Sequence, residues 1–291
     1  MDVDGVPFVK GHGTENDFIV LPDVDDRLTL TSARVRGLCD RRVGLGADGV
    51  LRVVLTSTQA EVAAQADTAA WFMDHRNADG STAEMCGNGV RVFVRYLLDR
   101  GLAHGPTVTV ATRGGPRTVT VDETDGATPG DLQVDMGEAT PPTVTTAPQV
   151  AVGACTWPAV GVLVPNPHAV VFVESLDAVG DLHVAPTVTP AQVFPDGVNV
   201  EFVSAVGPAH VAMRVFERGV GETRSCGTGA CAVAWVAQRR AGDEPATAWT
   251  VDVPGGRLRV TERDDGHLLL SGPAELVASG VVSAEWWEAQ R

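Results

Sequence analysis

The chain has 291 residues, 44% of them hydrophobic and 20% charged, which predicts one large globular domain or two of about 145 residues each. Its net charge of −15 excludes the clustered cations that nucleic-acid binding needs, and no stretch approaches the roughly 18 apolar residues of a membrane helix. The acidic start Met1-Asp2-Val3-Asp4 has no apolar stretch, which predicts no secretory signal and a cytoplasmic protein.

In chain order, Phe8–Lys10 and Phe18–Leu21 read as short strands. Residues 31–41 read as a helix capped by Thr31 or Ser32, and the β-branched run 50–55 as a strand. Residues 56–70, rich in Ala, Thr and Gln, read as a surface loop or weak helix. Trp71–Met73 is a strand leading into a turn at 76–80. The helix after Cys86 is expected to bury Val90, Phe93, Val94, Leu97 and Leu98 and to stop at Gly101. Residues 107–121 and 132–136 read as strands around an Asp125-Gly126 turn, and 141–151 as a connection. Short strands follow at 160–164, 169–173, 199–203, 211–216, 249–253, 258–261 and 267–270, with a second apolar helix over 226–240. A helix apolar nearly all round must be wrapped, so a curved sheet or barrel is expected around each.

Two motifs repeat. Met85-Cys86-Gly87-Asn88-Gly89 and Ser225-Cys226-Gly227-Thr228-Gly229 each open one of the apolar helices. Gly46-Ala47-Asp48-Gly49-Val50 pairs with Phe194-Pro195-Asp196-Gly197-Val198, and Asn16 pairs loosely with Asn166, in the same order and at similar separation. The pattern predicts duplicated halves facing one pocket.

The five cysteines, at 39, 86, 155, 226 and 231, are odd in number and irregularly spaced, so neither a disulfide framework nor a metal site is expected. Taken singly, Cys86 and Cys226 would be buried apolar thiols. The shared Cys-Gly-x-Gly frame points instead to a functional pair, with Cys39, Cys155 and Cys231 keeping the buried reading. A thiol at a helix N-terminus meets unpaired N–H groups and a partial positive charge, which should lower its pKa. The glycines let the backbone approach a ligand, and two such helix ends could hold one carboxylate while its α-proton leaves. His168, in Pro165-Asn166-Pro167-His168, and Glu217, at the end of a strand, are candidate proton partners, although a lone His or Glu-Arg pair is more often a solvated feature. Lys10 is the only lysine and lies far in sequence from both motifs, which disfavours a pyridoxal phosphate Schiff base.

Together these residues resemble the diaminopimelate epimerase family. The resemblance runs through residues 10–18, 44–49, 76–81, 85–91, 166–168, 196–201, 217–223 and 225–229. It implies an α/β (α+β) fold of two pseudo-symmetric halves, each a β-barrel-like sheet around a central helix, with the active site in the cleft between them. The halves would be residues 1–126, completed by 272–291, and 127–271. It implies an isomerase that needs no cofactor and no metal, interconverts L,L- and meso-diaminopimelate for lysine and peptidoglycan precursors, and forms a homodimer. Cys86 and Cys226 would be the acid and base, with His168 serving Cys86 and Glu217 serving Cys226. Gly87-Asn88 and Gly227-Thr228 would hold the α-carboxylate; Asn16, Asn77, Asn166, Asn199, Glu217 and Arg218 would contact the rest of the substrate. The alternatives are a proline or hydroxyproline racemase, whose family favours His where Asn88 stands, a phenazine-type isomerase without the thiol pair, and an amino-acid-binding protein without turnover.

Overall fold

The computed structural model of the protein describes residues 5–123, 130–242 and 246–290. The expected Asp125-Gly126 turn lies outside these residues. The chain forms two compact units, residues 1–134 with 273–291, and residues 135–272.

In the first unit, the strands lie in the order Arg117–Val121, Thr107–Ala111, Trp71–Asn77, Gly49–Leu55, Asn16–Pro22, Val6–Gly13 and Glu275–Val282. The last of these returns from the far end of the chain to pair antiparallel with Val6–Gly13. The sheet curls around the helix Gly87–Asp99, which packs against the strands Val6–Gly13, Asn16–Pro22, Arg117–Val121 and Glu275–Val282. Val90, Val92, Phe93, Val94, Tyr96 and Leu97 are buried on it. At about 1.5–3 kcal/mol for each large apolar side chain taken from water, this wrapping is what holds the helix in place. Leu98, expected in the core, is only half-buried, and Tyr96 takes that role from the neighbouring face. The helix ends where Gly101 adopts a left-handed φ of 65°.

In the second unit, the order is Val160–Val164, Asn166–Phe172, Asn199–Gly207, His210–Glu217, Ala248–Val253, Gly256–Glu262 and His267–Gly272, with Gly221–Thr223 beside His210–Glu217. Its central helix is Gly227–Arg240, and six of these strands pack around it. Ala230, Ala232, Ala234 and Ala237 are buried along it, and their small side chains let the strands come close.

Both units share one local frame. Asn16–Pro22 pairs parallel with Gly49–Leu55, Phe18 opposite Gly49. Asn166–Phe172 pairs parallel with Asn199–Gly207, His168 opposite Asn199. The two registers coincide when 150 is added to each first-unit number, which is the duplication expected from the motifs.

Several elements differ from the sequence expectation. The run 107–121 is broken into two strands, because Gly115 turns at φ 91° and Pro116 follows it. Residues 56–70 form two short 3-10 turns, Thr56–Thr58 and Ala60–Gln65, with Val62 buried beneath them. The connection at 141–151 gives a strand, Gln149–Val152, in a small separate sheet with Cys155–Pro158 and Thr187–Thr189. That sheet leaves the Cys155 thiol exposed rather than buried. A closing helix, Ala284–Ala289, is capped by the Ser283 hydroxyl, and the Arg34 guanidinium stacks over its Trp287 ring. No helix among the described residues is long and apolar enough to cross a membrane.

Candidate active site

Each cysteine is the N-cap of its helix. Cys86 has extended backbone angles (φ −141°, ψ 124°), and its Sγ accepts the Gly89 N–H at 3.4 Å. Cys226 does the same for Gly229, also at 3.4 Å. In both, the cysteine carbonyl accepts the N–H of the fourth residue on, Val90 or Ala230. A helix needs an acceptor at this place because its first N–H groups have no intrahelical carbonyl. Gly87, Asn88, Gly227 and Thr228 occupy the first turns, where such groups converge.

In the first unit, Asn16, Cys86 and Asn88 come together. The Cys86 thiol donates to Asn16 Oδ1 at 3.7 Å, and the Asn88 amide donates to the same oxygen at 3.2 Å. The Asn16 amide nitrogen donates in turn to Asp48 Oδ2 at 2.8 Å. This fixes the direction of the Asn16 amide, since its nitrogen is committed to a carboxylate. Arg41 holds both Asp48 and Asp17, and Lys10 pairs with Asp17 at 2.7 Å. Against the cost of burial, Arg41 and Lys10 hold the Asp17 carboxyl well below its ordinary range. Buried Arg91 donates to Asn88 Oδ1 at 2.9 Å from one turn along the helix. Asn77 is exposed at the end of its strand, where its amide donates to the Ser81 hydroxyl at 3.0 Å.

In the second unit, Asn166, His168, Asn199, Glu217, Arg218 and Cys226 lie on neighbouring elements. The fully buried His168 ring sits between Glu201 Oε1, 2.7 Å from Nδ1, and Asn166 Oδ1, 3.0 Å from Nε2. Glu217, last in its strand, accepts hydrogen bonds from the Thr223 hydroxyl and the Cys226 thiol. Burial raises the Glu217 carboxyl; those two bonds oppose the rise, and the Glu201 charge adds to it. Cys226 Sγ also lies 3.5 Å from the Thr228 hydroxyl. The Arg218 N–H donates to Asn199 Oδ1 at 2.9 Å, and its exposed guanidinium donates to the Asp196 carbonyl at 2.7 Å.

The expected lowering of the thiol pKa at a helix N-terminus fails for Cys226. Its thiol is pushed well above its ordinary value, first by burial and then by the charges of Glu217 and Glu201. The sizes explain this. A helix terminus contributes about 0.3–1 kcal/mol, rarely 2, whereas full burial can shift an ionisable group by about 3–5 pH units. Cys226 is only 6% exposed, whereas Cys86 is half-buried. Cys39 shows burial acting without a site, its thiol pushed up to about 12.

The third glycines of the two motifs meet different floors. A methyl group at Gly89 would lie 3.4 Å or more from Phe18, Cys86 and Leu51, in ordinary contact. At Gly229 it would lie 2.8 Å from Glu201 Oε1 and 3.3 Å from Cys226 Sγ. Gly89→Ala is therefore expected to change stability by less than about 1 kcal/mol. Gly229→Ala should cost about 1–3 kcal/mol through overpacking. Denaturant midpoints of the two variants compare them directly, and equal midpoints would refute the difference in floors.

Sequence reasoning missed Asp48, Glu201 and Thr223 as participants, although all three lie in the quoted motifs. Two signals could have found them. Thr223 follows Glu217 closely enough for a hairpin to bring it back, and the strand Asn199–Gly207 carries a carboxylate amid apolar residues. Among the described residues no group of three or more His, Cys, Asp or Glu is placed to hold a metal ion.

The chain is similar to known proteins over most of its length. The family model for diaminopimelate epimerase matches residues 8–141 and 161–277. The diaminopimelate epimerase of Streptomyces coelicolor is 54% identical over 288 residues, covering 97% of each chain. That of Mycobacterium ulcerans is 49% identical over 296 residues, covering 98% of this chain and 99% of the relative. Among solved structures, a hydroxyproline epimerase from Agrobacterium vitis with bound trans-4-hydroxy-L-proline shares the fold (TM-score 0.66, 15% identity, 96% of this chain and 92% of that one). A phenazine biosynthesis protein of the PhzF family from Bacillus anthracis does so equally (TM-score 0.65, 16% identity, 95% and 98%). With its two cysteine-capped helices and a match to the family model over most of its length, the chain belongs to the diaminopimelate epimerase family.

Proposed function

We propose that this isomerase interconverts L,L- and meso-diaminopimelate by a two-base mechanism, in lysine and peptidoglycan precursor synthesis. The observation that carries the reading is the repeated cysteine N-cap, each thiol held at a helix end by the N–H of its own motif's third glycine. One thiolate takes the α-proton and becomes a thiol. The other thiol gives its proton to the opposite face and becomes a thiolate. One proton enters and one leaves, so the carbon is inverted without net change. The reverse reaction exchanges the roles.

The developing negative charge on the substrate is stabilised at its α-carboxylate by N–H groups of Gly87-Asn88 and Gly227-Thr228. Asn16, Asn77, Asn166, Asn199, Glu217 and Arg218 contact the rest of the substrate. An amide or guanidinium donor that closes on the second amino acid end and is left without its partner disfavours a substrate that lacks that end. Glu217 exchanges a proton with Cys226, and its raised carboxyl pKa supports this because it makes the group a better acceptor. His168 does the same for Cys86 during turnover. A cytoplasmic homodimer belongs to the same proposal, with sedimentation of the native protein as its check.

The test is incubation of the reduced protein with L,L-diaminopimelate in D2O, without added pyridoxal phosphate. Meso product carrying deuterium at one α-carbon is expected. Exchange with proline but not with diaminopimelate would overturn the substrate assignment, and exchange with neither would overturn the enzyme reading for these substrates.

A further inference from the structure

The parallel strand pairs of the two units share one register, so each residue of one frame has a counterpart in the other. His168 corresponds to Phe18, and Glu201 to Leu51. The correspondence extends to side-chain position. Beyond the capping cysteine of each motif, Phe18 and Leu51 are the neighbours nearest to a side chain built at Gly89, and Glu201 is the nearest at Gly229. One cysteine-capped helix therefore starts over a leucine and a phenylalanine. The other starts over a carboxylate, which is bonded in turn to the His168 imidazole.

A stability role accounts poorly for this exchange. Glu201 and His168 are both fully buried, and taking a carboxylate out of water costs several kcal/mol unless every lone pair is satisfied. Glu201 Oε2 is buried without a hydrogen-bond partner among the described residues. The other half fills the same place with Phe18 and Leu51 and packs a complete core. A half-satisfied carboxylate where a leucine would serve is a feature to explain by chemistry.

We propose that Glu201 is a positioning residue for the epimerisation, fixing a proton on Nδ1 of His168 so that the ring exchanges protons only through Nε2. A carboxylate can only accept, so the 2.7 Å contact requires Nδ1 to donate. Nε2 is left as the variable nitrogen, facing the Asn166 side chain at 3.0 Å. Second partners of this kind set the tautomer and basicity of a functional imidazole. The ionisable groups around Glu201 are His168 on the neighbouring strand, Glu217 at the end of His210–Glu217 and Cys226 at the helix start.

This inference rests on the epimerase reading, and two measurements separate them. In ring-15N-labelled protein, with the His168 signal assigned by its loss in His168→Asn, wild type should show a protonated Nδ1, and Glu201→Leu, which has no acceptor, should lose that fixed proton. This readout needs no catalysis. In the epimerisation assay, Glu201→Leu, which puts the other unit's residue in this place, should lower kcat about tenfold or more and leave KM within about twofold. Glu201→Asp should restore part of both effects, and it serves as the working variant if the leucine form folds poorly. An Nδ1 proton fixed equally in Glu201→Leu, or an unchanged kcat once that proton is lost, would overturn the role. Wild-type protein that does not epimerise, yet shows the Nδ1 signal and its loss, would remove the reaction and leave the proton placement standing.

Discussion

Replacing Cys226 by alanine is expected to lower epimerisation about 10³-fold or more, while deuterium is still washed out of one α-centre. Inversion needs a proton taken from one face and another delivered to the opposite face, and a single thiol can serve only its own. With Cys226 gone, Cys86 can still remove a proton and return one from solvent, without inversion. Cys86→Ala should show the mirror behaviour, exchanging in the opposite configuration. The alanine variant also loses the acceptor for the Gly229 N–H, which should cost about 0.5–2 kcal/mol as other lost caps do. Cys226→Ser separates the two losses. A hydroxyl can cap the helix but is a far weaker acid, so stability should return without activity. Chiral analysis of diaminopimelate with mass spectrometry reads inversion and exchange together. Normal inversion by the alanine variant would falsify the two-base assignment.

The sequence made the frame of this result visible for a physical reason. Two apolar helices, each opened by Cys-Gly-x-Gly, can only be buried if sheet wraps them, and both are buried over most of their length. The duplication was legible because the landmarks recur in one order, and the strand registers repeat it. Less visible were features that depend on who meets whom across the sheet. Leu98 and Tyr96 differ by two positions on one helix, and only packing decides that Tyr96 goes inward. Cys155 reads as a small apolar residue, but its small separate sheet leaves the thiol exposed. The state of Cys226 was misjudged for the same reason. A helix end is readable from sequence, but the two carboxylates near its thiol, Glu217 and Glu201, lie nine and 25 residues before Cys226 on two other elements. At Cys226, local chemistry favoured the thiolate, whereas burial and the two carboxylates favour the thiol.

Glu217→Gln is expected to separate activity from stability in opposite directions. The Glu217 carboxyl lies above its ordinary value because burial penalises its charge more than Thr223 and Cys226 relieve it. A carboxyl raised in the folded state binds more protons folded than unfolded. Its contribution is therefore fully present below the unfolded pKa and is lost as pH rises through the folded pKa. At neutral pH the ionised group is a burden on the fold, so the neutral amide should raise Tm there and flatten the fall of Tm between acidic and neutral pH. Epimerisation should nevertheless drop about 10²–10⁴-fold, because an amide cannot take the Cys226 proton. The thiol itself reports the cause. After burial, the Glu217 charge is the next largest influence holding Cys226 in its protonated form. Removing that charge should let Cys226 ionise at lower pH, seen as earlier thiolate absorbance in the difference between proteins with and without Cys226. A variant that loses activity although its thiol ionises more readily would show that Glu217 acts by moving a proton. Loss of activity with an unchanged thiol titration and a lower Tm would instead mark Glu217 as a support of the fold.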